Sequence, residues 1–159
     1  MEKAEKTNVM RLLDSMKLLY AAHSFACEEA VSAVEAAKRL DTDVERVFKT
    51  LVTEGADKKY YVFMIPAAEE LSLKKAAAAT GEKSIAMLKS KDLLPLTGYV
   101  HGGCSPIGMK KTFPTFLDET AQFYDTIFFS AGKIGYQIEM SPSEFSKAIP
   151  FLYGDFIMI

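Results

Sequence analysis

The stretch Val47-Phe48-Lys49-Thr50-Leu51-Val52 places a lysine in the middle of residues that favour a β-strand. β-Branched and aromatic residues fill most of its positions, which predicts a half-buried strand. Because side chains alternate across a strand, we expect Val47, Lys49 and Leu51 on one face. A lysine on an apolar face must reach water, bind an anion or lose its proton. Lys49 is therefore either the anchor of a pocket or an edge-strand lysine that prevents aggregation.

The segments on either side predict a sheet built largely from hairpins. Apolar and β-branched runs indicate strands, and capping residues with helical spacing indicate helices. Strands are predicted at 18–25, 48–53, 60–65, 84–88, 126–130 and 136–140, and helices at 9–16, 32–40, 73–80 and 142–149. Because the strands do not alternate regularly with helices, the pattern favours an α+β fold over a doubly wound parallel sheet. We expect a mixed, mostly antiparallel, barrel-like sheet surrounded by helices.

Length and composition limit the class of protein. The 159 residues predict a single domain, 1–159, and the net charge of −2 argues against bulk electrostatic binding of DNA or RNA. No apolar run reaches the roughly 18 residues that a membrane span needs. The charged start of the chain is not followed by an apolar segment, so we expect no signal peptide and a cytoplasmic location. Two cysteines are too few for a disulfide framework.

Two glycine-containing segments are candidates for a binding site. The first, Gly98-Tyr99-Val100-His101-Gly102-Gly103-Cys104-Ser105-Pro106-Ile107-Gly108, holds four glycines, whose amides could bind a carbonyl oxygen or an anion. It lacks the endings of a P-loop or a dinucleotide fingerprint. The second, Ser130-Ala131-Gly132-Lys133, could place a hydroxyl in a pocket. A plain structural turn is the alternative for both segments.

Metal binding and nucleophilic catalysis have weak support. His23 with Cys27 and His101 with Cys104 could supply four zinc ligands, but the first pair crosses a predicted strand end, where its spacing does not converge. Buried free cysteines and polar histidines are favoured, and we predict no metal and no cofactor. No serine lies in a nucleophile elbow. An enzyme built on this chain would depend on positioning and backbone electrostatics.

Four segments in order carry a family resemblance over most of the chain. They are Phe48-Lys49-Thr50-Leu51, the run 71–77 (LSLKKAA), Thr97-Gly98-Tyr99 with the run 102–111 (GGCSPIGMKK), and the run 130–135 (SAGKIG). Together they resemble the YbaK/EbsC family of aminoacyl-tRNA deacylases, above all its Cys-tRNA(Pro) branch. This family is related to the editing domain of prolyl-tRNA synthetase.

The resemblance implies a barrel-like mixed sheet and an enzyme that removes a wrong amino acid from the 3′ end of tRNA. It implies that Lys49 is the key functional residue, with Gly102 and Gly103 also catalytic. Implied substrate-binding residues are Phe25, Thr50, His101, Cys104, Ser105, Pro106, Ser130, Ala131, Gly132 and Lys133. Misacylated tRNA is the implied partner. Prolyl-tRNA synthetase is a second candidate, because the modest charge suggests weak tRNA affinity for the chain alone.

The implied chemistry fits these residue types. Lys49 could hold a backbone phosphate or the substrate carbonyl. Glycine amides could stabilise an oxyanion, and one such donor typically contributes about 3 kcal/mol. A cysteinyl substrate could also attack its own ester through its thiol. The alternatives are action on Cys-tRNA(Cys), an Ala-tRNA(Pro) or broader deacylase, and a non-catalytic module that binds tRNA or a synthetase.

The chain departs from the family pattern at four positions. Phe25 lies where relatives often carry a tyrosine, and His101 and Cys104 replace aliphatic residues. Ile134 replaces a residue that is commonly basic, which weakens any phosphate contact there. These departures leave Lys49 and the glycines in place and bear on the amino-acid preference.

Overall fold

In the computed structural model, residues 6–159 form two β-sheets and five α-helices. The strands are β1 Ala21–Ser24, β2 Phe48–Gly55, β3 Tyr60–Pro66, β4 Ile85–Met87, β5 Thr115–Asp118, β6 Ile127–Ser130, β7 Tyr136–Met140 and β8 Leu152–Gly154. The helices are α1 Asn8–Ser15, α2 Ala33–Arg39, α3 Leu73–Thr80, α4 Ser90–Thr97 and α5 Pro142–Ala148, with short 3-10 helices at Val44–Arg46 and Glu119–Phe123. The expectation of no signal peptide rests largely on residues 1–5, which lie outside the described residues.

The strands form two sheets with mixed pairing. One sheet has the order β1-β7-β6 and is antiparallel throughout. The other has the order β4-β2-β3-β5-β8, antiparallel among β4, β2 and β3 and parallel from β3 to β8. This confirms the α+β class with a mixed, mostly antiparallel sheet. The barrel is not closed, because a single parallel bridge between Val47 and Phe128 joins the two sheets.

Local sequence signals set most element boundaries. The side chains of Ser32, Ser72 and Ser141 accept hydrogen bonds from amides three residues later, as the N-caps of α2, α3 and α5. The strand predicted at 18–25 is shorter than expected. Its first residue, Leu18, instead donates its amide to the Leu13 carbonyl in the turn that ends α1, so β1 begins at Ala21.

The two largest of four apolar clusters in the described residues pack α1, α5 and the terminal segment against the sheets. In the larger cluster α1 and α5 pack on the three-stranded sheet, with Leu13, Phe129 and Phe145 fully buried. In the second, Phe63 and Phe116 stack at 4.9 Å and Phe156 packs edge-on against both. The apolar end of the chain is therefore part of the core as far as Ile157. No helix within 6–159 has the length and apolar character to cross a membrane.

Candidate active site

A cavity of about 410 Å³ opens along one edge of β2, between the two sheets. On this edge the chain pairs with β6 only at Val47, just before β2 begins, and β2 pairs with β4 only over residues 53–55. The strand pairing therefore leaves a gap beside residues 48–51. The first turns of α2 and α4, the loop 101–104 and the start of β7 close the gap and complete the wall.

Lys49 extends from this gap and lines the cavity. Its side chain is partly buried and makes no hydrogen bond or ion pair with any residue between 6 and 159. Burial lowers the pKa of its ammonium group, and the nearby carboxylates of Glu70 and Glu69 oppose that shift. An unpaired, partly desolvated cation in a cavity is suited to bind an oxygen of a ligand.

The two glycines predicted to be catalytic lie in different environments. The Gly103 amide donates to the Val100 carbonyl at 3.0 Å, so it is already engaged. Gly102 lines the cavity, and its amide makes no hydrogen bond within the described part of the chain. Its φ of +86° belongs to the left-handed region, and an added Cβ would lie 2.6 Å from the Cβ of Ala30. Of the two amides, Gly102 is the one free to bind an oxyanion.

Gly102→Ala is expected to destabilise the fold more than the matched control Gly81→Ala. Both glycines have positive φ, so each alanine costs about 1–2 kcal/mol of backbone strain. A Cβ at Gly81 meets nothing within 4 Å, whereas at Gly102 it meets Ala30. Overpacking of this kind typically adds about 1–3 kcal/mol. Denaturant unfolding of both variants measures the difference in the free energy of unfolding. Equal losses of stability would show that the loop carrying Ala30 moves away from residue 102 without cost.

Five of the predicted substrate-binding residues line the cavity, and five do not. The residues that line it are Phe25, Thr50, His101, Cys104 and Ser130; those outside are Ser105, Pro106, Ala131, Gly132 and Lys133. The five residues outside the cavity are sequence neighbours of lining residues: Ser105 and Pro106 follow Cys104, and Ala131, Gly132 and Lys133 follow Ser130.

The residues outside the lining have structural contacts of their own. Ser105 is fully buried, and its hydroxyl accepts a hydrogen bond from the amide of Ile107. Ala131 lies in the larger core cluster. The Lys133 ammonium lies over the Tyr136 ring, 5.1 Å from its centroid. These contacts shape the two turns that border the cavity.

The cysteine and histidine candidates show no arrangement typical of a zinc site. Burial raises the pKa of the Cys104 thiol to about 12, against an opposing hydrogen bond with Thr97, so the thiol stays protonated near neutral pH. His23 lies 2.8 Å from a carboxylate oxygen of Glu139. Among residues 6–159, no three His, Cys, Asp or Glu side chains form a group that could hold a metal ion.

Sequence reasoning missed several residues of the wall, of which Gln137 is the most informative. The side-chain oxygens Oε1 of Gln137 and Oγ1 of Thr50 are buried, and neither has a hydrogen-bond partner in the described structure. Gln137 lies directly opposite Ser130 in the β6–β7 pair, so both side chains point to the same face. That register was available from the predicted hairpin. The contribution of α4 was not, because α4 itself was not predicted.

Comparison with known proteins identifies the family of the chain. Residues 27–148 match the family model of the aminoacyl-tRNA editing domain. The chain belongs to the aminoacyl-tRNA editing domain family. This confirms the resemblance drawn from the four segments of sequence.

Two relatives and one solved structure place this editing domain more closely. It is 50% identical over 139 residues to EbsC of Enterococcus faecalis, a proposed Cys-tRNA(Pro)/Cys-tRNA(Cys) deacylase, covering 87% of this chain and 85% of EbsC. It is 29% identical over 111 residues to the proline–tRNA ligase of Shouchella clausii, covering 70% of this chain and 19% of the ligase. A crystal structure described as a proposed trans-editing enzyme for prolyl tRNA synthetase superimposes with a TM-score of 0.81 at 21% identity, covering 96% and 99% of the two chains. That structural likeness supports the fold.

Proposed function

We propose that this editing domain acts in trans as a deacylase that removes a mischarged amino acid from tRNA, with Cys-tRNA(Pro) as its main substrate. The observation that carries the proposal is the unpaired ammonium of Lys49 in a cavity large enough for an aminoacyl ester. The 50% identity to EbsC supports the choice of a cysteinyl substrate. We place the reaction in the cytoplasm, where aminoacyl-tRNA is made and used.

The residues of the cavity suit an ester that is already labile. Cys104 stays protonated, and the wall formed by the described residues holds no aspartate or glutamate side chain, so this wall offers neither a strong nucleophile nor a carboxylate base. Lys49 would bind the ester carbonyl or a backbone phosphate, and the Gly102 amide would stabilise the developing oxyanion. Rate acceleration then comes from positioning and from a fixed cation.

The substrate's own thiol can supply the nucleophile. Its sulfur attacks the ester carbon, the bond from that carbon to the ribose oxygen breaks, and the thiol proton passes to the ribose oxygen. The products are a cysteine thiolactone and tRNA with a free 3′ end. A 2-aminobutyryl ester has the same size but no thiol, so we expect it to be cleaved far more slowly than the cysteinyl ester. Equal rates would assign the attack to water.

A deacylation panel tests the proposed function. We expect release of the amino acid from Cys-tRNA(Pro) well above the spontaneous rate, slower release from Ala-tRNA(Pro) and none from Pro-tRNA(Pro). Cys-tRNA(Cys) measures whether the tRNA body matters. Release of alanine as fast as cysteine would indicate a broader deacylase, and no release from any substrate would leave a non-catalytic binding module.

The pH dependence of the reaction tests the charge of Lys49. The lysine acts as a cation, so activity is present below its pKa and is lost as the pH rises through it. Glu70 raises that pKa. Glu70→Gln should therefore move the alkaline limb of kcat/KM to lower pH, while Glu119→Gln, at an exposed residue of the 3-10 helix Glu119–Phe123, should not. Rates are corrected for spontaneous hydrolysis at each pH, and an alkaline limb that is identical in wild type and Glu70→Gln would contradict its assignment to Lys49.

We also propose that prolyl-tRNA synthetase supplies part of the tRNA affinity. The net charge of −2 suggests weak binding of a polyanion by the chain alone. Mobility shifts at two salt concentrations, with and without the synthetase, test the partnership. Tight tRNA binding by the lone chain would count against it.

A further inference from the structure

Two ring-bearing residues of the cavity lining are at least partly exposed to solvent, and we take them to mark its mouth. The side chains of the lining that carry a planar ring are Phe25, Phe48 and His101. Phe48 is 2% exposed and belongs to the core, whereas Phe25 is partly exposed and His101 is exposed. Of the described lining, only Phe25 and His101 can therefore offer a ring face to a ligand at the mouth. We call them the mouth rings.

The mouth rings belong to loops that meet across the opening. The amide of Phe25 donates to the Gly135 carbonyl at 2.9 Å, which fixes this residue at the end of β1. The loop that follows reaches Ala30, which lies against Gly102, the residue next to His101. Each ring is thus carried by one of two abutting loops, and both loops contribute to the cavity wall.

The two rings differ in what already covers them. The Arg39 guanidinium lies over the Phe25 ring, 5.8 Å from its centroid, and donates to the Ala26 carbonyl at 2.9 Å. The guanidinium covers one face of the ring, so a ligand can stack only on the other. His101 makes no ring contact, hydrogen bond or ion pair with any residue of the described structure. Its imidazole is held near the mouth without a structural partner.

The connectivity of the substrate determines what reaches the mouth. If the ester carbonyl lies at Lys49, its ribose is bonded directly to the ester oxygen, and the terminal base is one sugar away. The rest of the tRNA lies outside the cavity, so the base that follows the ribose lies on the side of the opening. Single-stranded RNA ends are commonly held by stacking of bases on aromatic or histidine rings.

We propose that the mouth rings, Phe25 and His101, bind the terminal adenine of the misacylated tRNA by stacking. This inference rests on the proposed function and adds a base-binding subsite to it. Binding of the base positions the ester carbonyl at Lys49. This binding does not depend on which amino acid is attached. His101 contributes a ring face, so its proton is not required.

Deacylation kinetics of variants that remove or keep the ring at residues 25 and 101 test the subsite. With Cys-tRNA(Pro), Phe25→Leu and His101→Ala should each lower kcat/KM at least tenfold, which corresponds to about 1.4 kcal/mol. Phe25→Tyr and His101→Phe keep a ring and should stay within a few-fold of wild type. If His101 served as an acid or base instead, His101→Phe would be as slow as His101→Ala, and the proposal would fail for that residue. The matched control is Phe123→Leu, an exposed phenylalanine outside the cavity.

A fluorescent base tests the contact directly. Uncharged tRNA(Pro) ending in 2-aminopurine should be quenched by the wild-type protein, and the quenching should be lost in Phe25→Leu and His101→Ala. Circular dichroism confirms that each variant is folded. If the wild-type protein cleaves Cys-tRNA(Pro) and both variants still quench, the base stacks elsewhere and the subsite alone is overturned. If the wild-type protein cleaves no aminoacyl-tRNA, the proposed function falls and the subsite falls with it.

Discussion

Replacing Lys49 with alanine is expected to lower kcat/KM for Cys-tRNA(Pro) by about a hundredfold to a thousandfold, the usual cost of losing one fixed electrostatic contact to a developing charge. Lys49 is the one lysine or arginine of the described cavity wall, and no other side chain there replaces its charge. The alanine also removes a partly buried cation that has no partner, so the fold should not lose stability through a broken ion pair.

Two further variants separate charge from general effects. Lys49→Arg keeps the cation but changes its shape, and we expect it to recover only part of the activity. Lys83→Ala removes an exposed lysine outside the cavity wall and should leave the rate unchanged. Full activity of folded Lys49→Ala would exclude this residue from the reaction.

Phe156→Ala is expected to destabilise the protein by about 3–5 kcal/mol, as for other fully packed phenylalanines. Its ring is 3% exposed and packs against Phe63 and Phe116, with centroid distances of 5.2 and 5.7 Å. Its amide also donates to the buried Asp118 carboxylate at 3.0 Å. Denaturant unfolding measures the loss. Ile159→Ala, at a residue that is 98% exposed, is the control and should change stability by less than about 0.5 kcal/mol.

The end of the chain also reaches the environment of Lys49. Leu71 forms a bridge with Ile157, and the Met158 amide donates to the Glu70 carbonyl at 2.9 Å. The terminal segment thus holds in place the loop that carries Glu70, the carboxylate that raises the pKa of Lys49 most. A loss of stability in Phe156→Ala no larger than in Ile159→Ala would contradict this packing.

The elements predicted from sequence are those with strong local signals. The β2–β3 and β6–β7 hairpins and the serine N-caps of α2, α3 and α5 depend on residues near one another in the chain. Helix α4 contains Pro95, and proline is disfavoured in a helix interior. The sequence pattern therefore did not predict this helix. The parallel strands β5 and β8 are short and pair with distant segments, so their formation depends on tertiary contacts.

Residues of the cavity lining were predictable where the residue type itself is unusual. A lysine inside a strand and glycines in a loop can be recognised in a single sequence, and the structure places Lys49 and Gly102 in one cavity. The engagement of the Gly103 amide by Val100 could not be foreseen, because it depends on the path of the turn. The place of Gln137 in the wall follows from its register opposite Ser130, which the predicted hairpin implies but residue type alone does not reveal.

The most direct test of the central claim is single-turnover release of the amino acid from Cys-tRNA(Pro) and Pro-tRNA(Pro) by the wild-type protein under the same conditions. If the cavity around Lys49 removes cysteine selectively, we expect rapid release of cysteine from Cys-tRNA(Pro) and no release of proline from Pro-tRNA(Pro). Cysteine release at the spontaneous rate, or equal release of cysteine and proline, would contradict it.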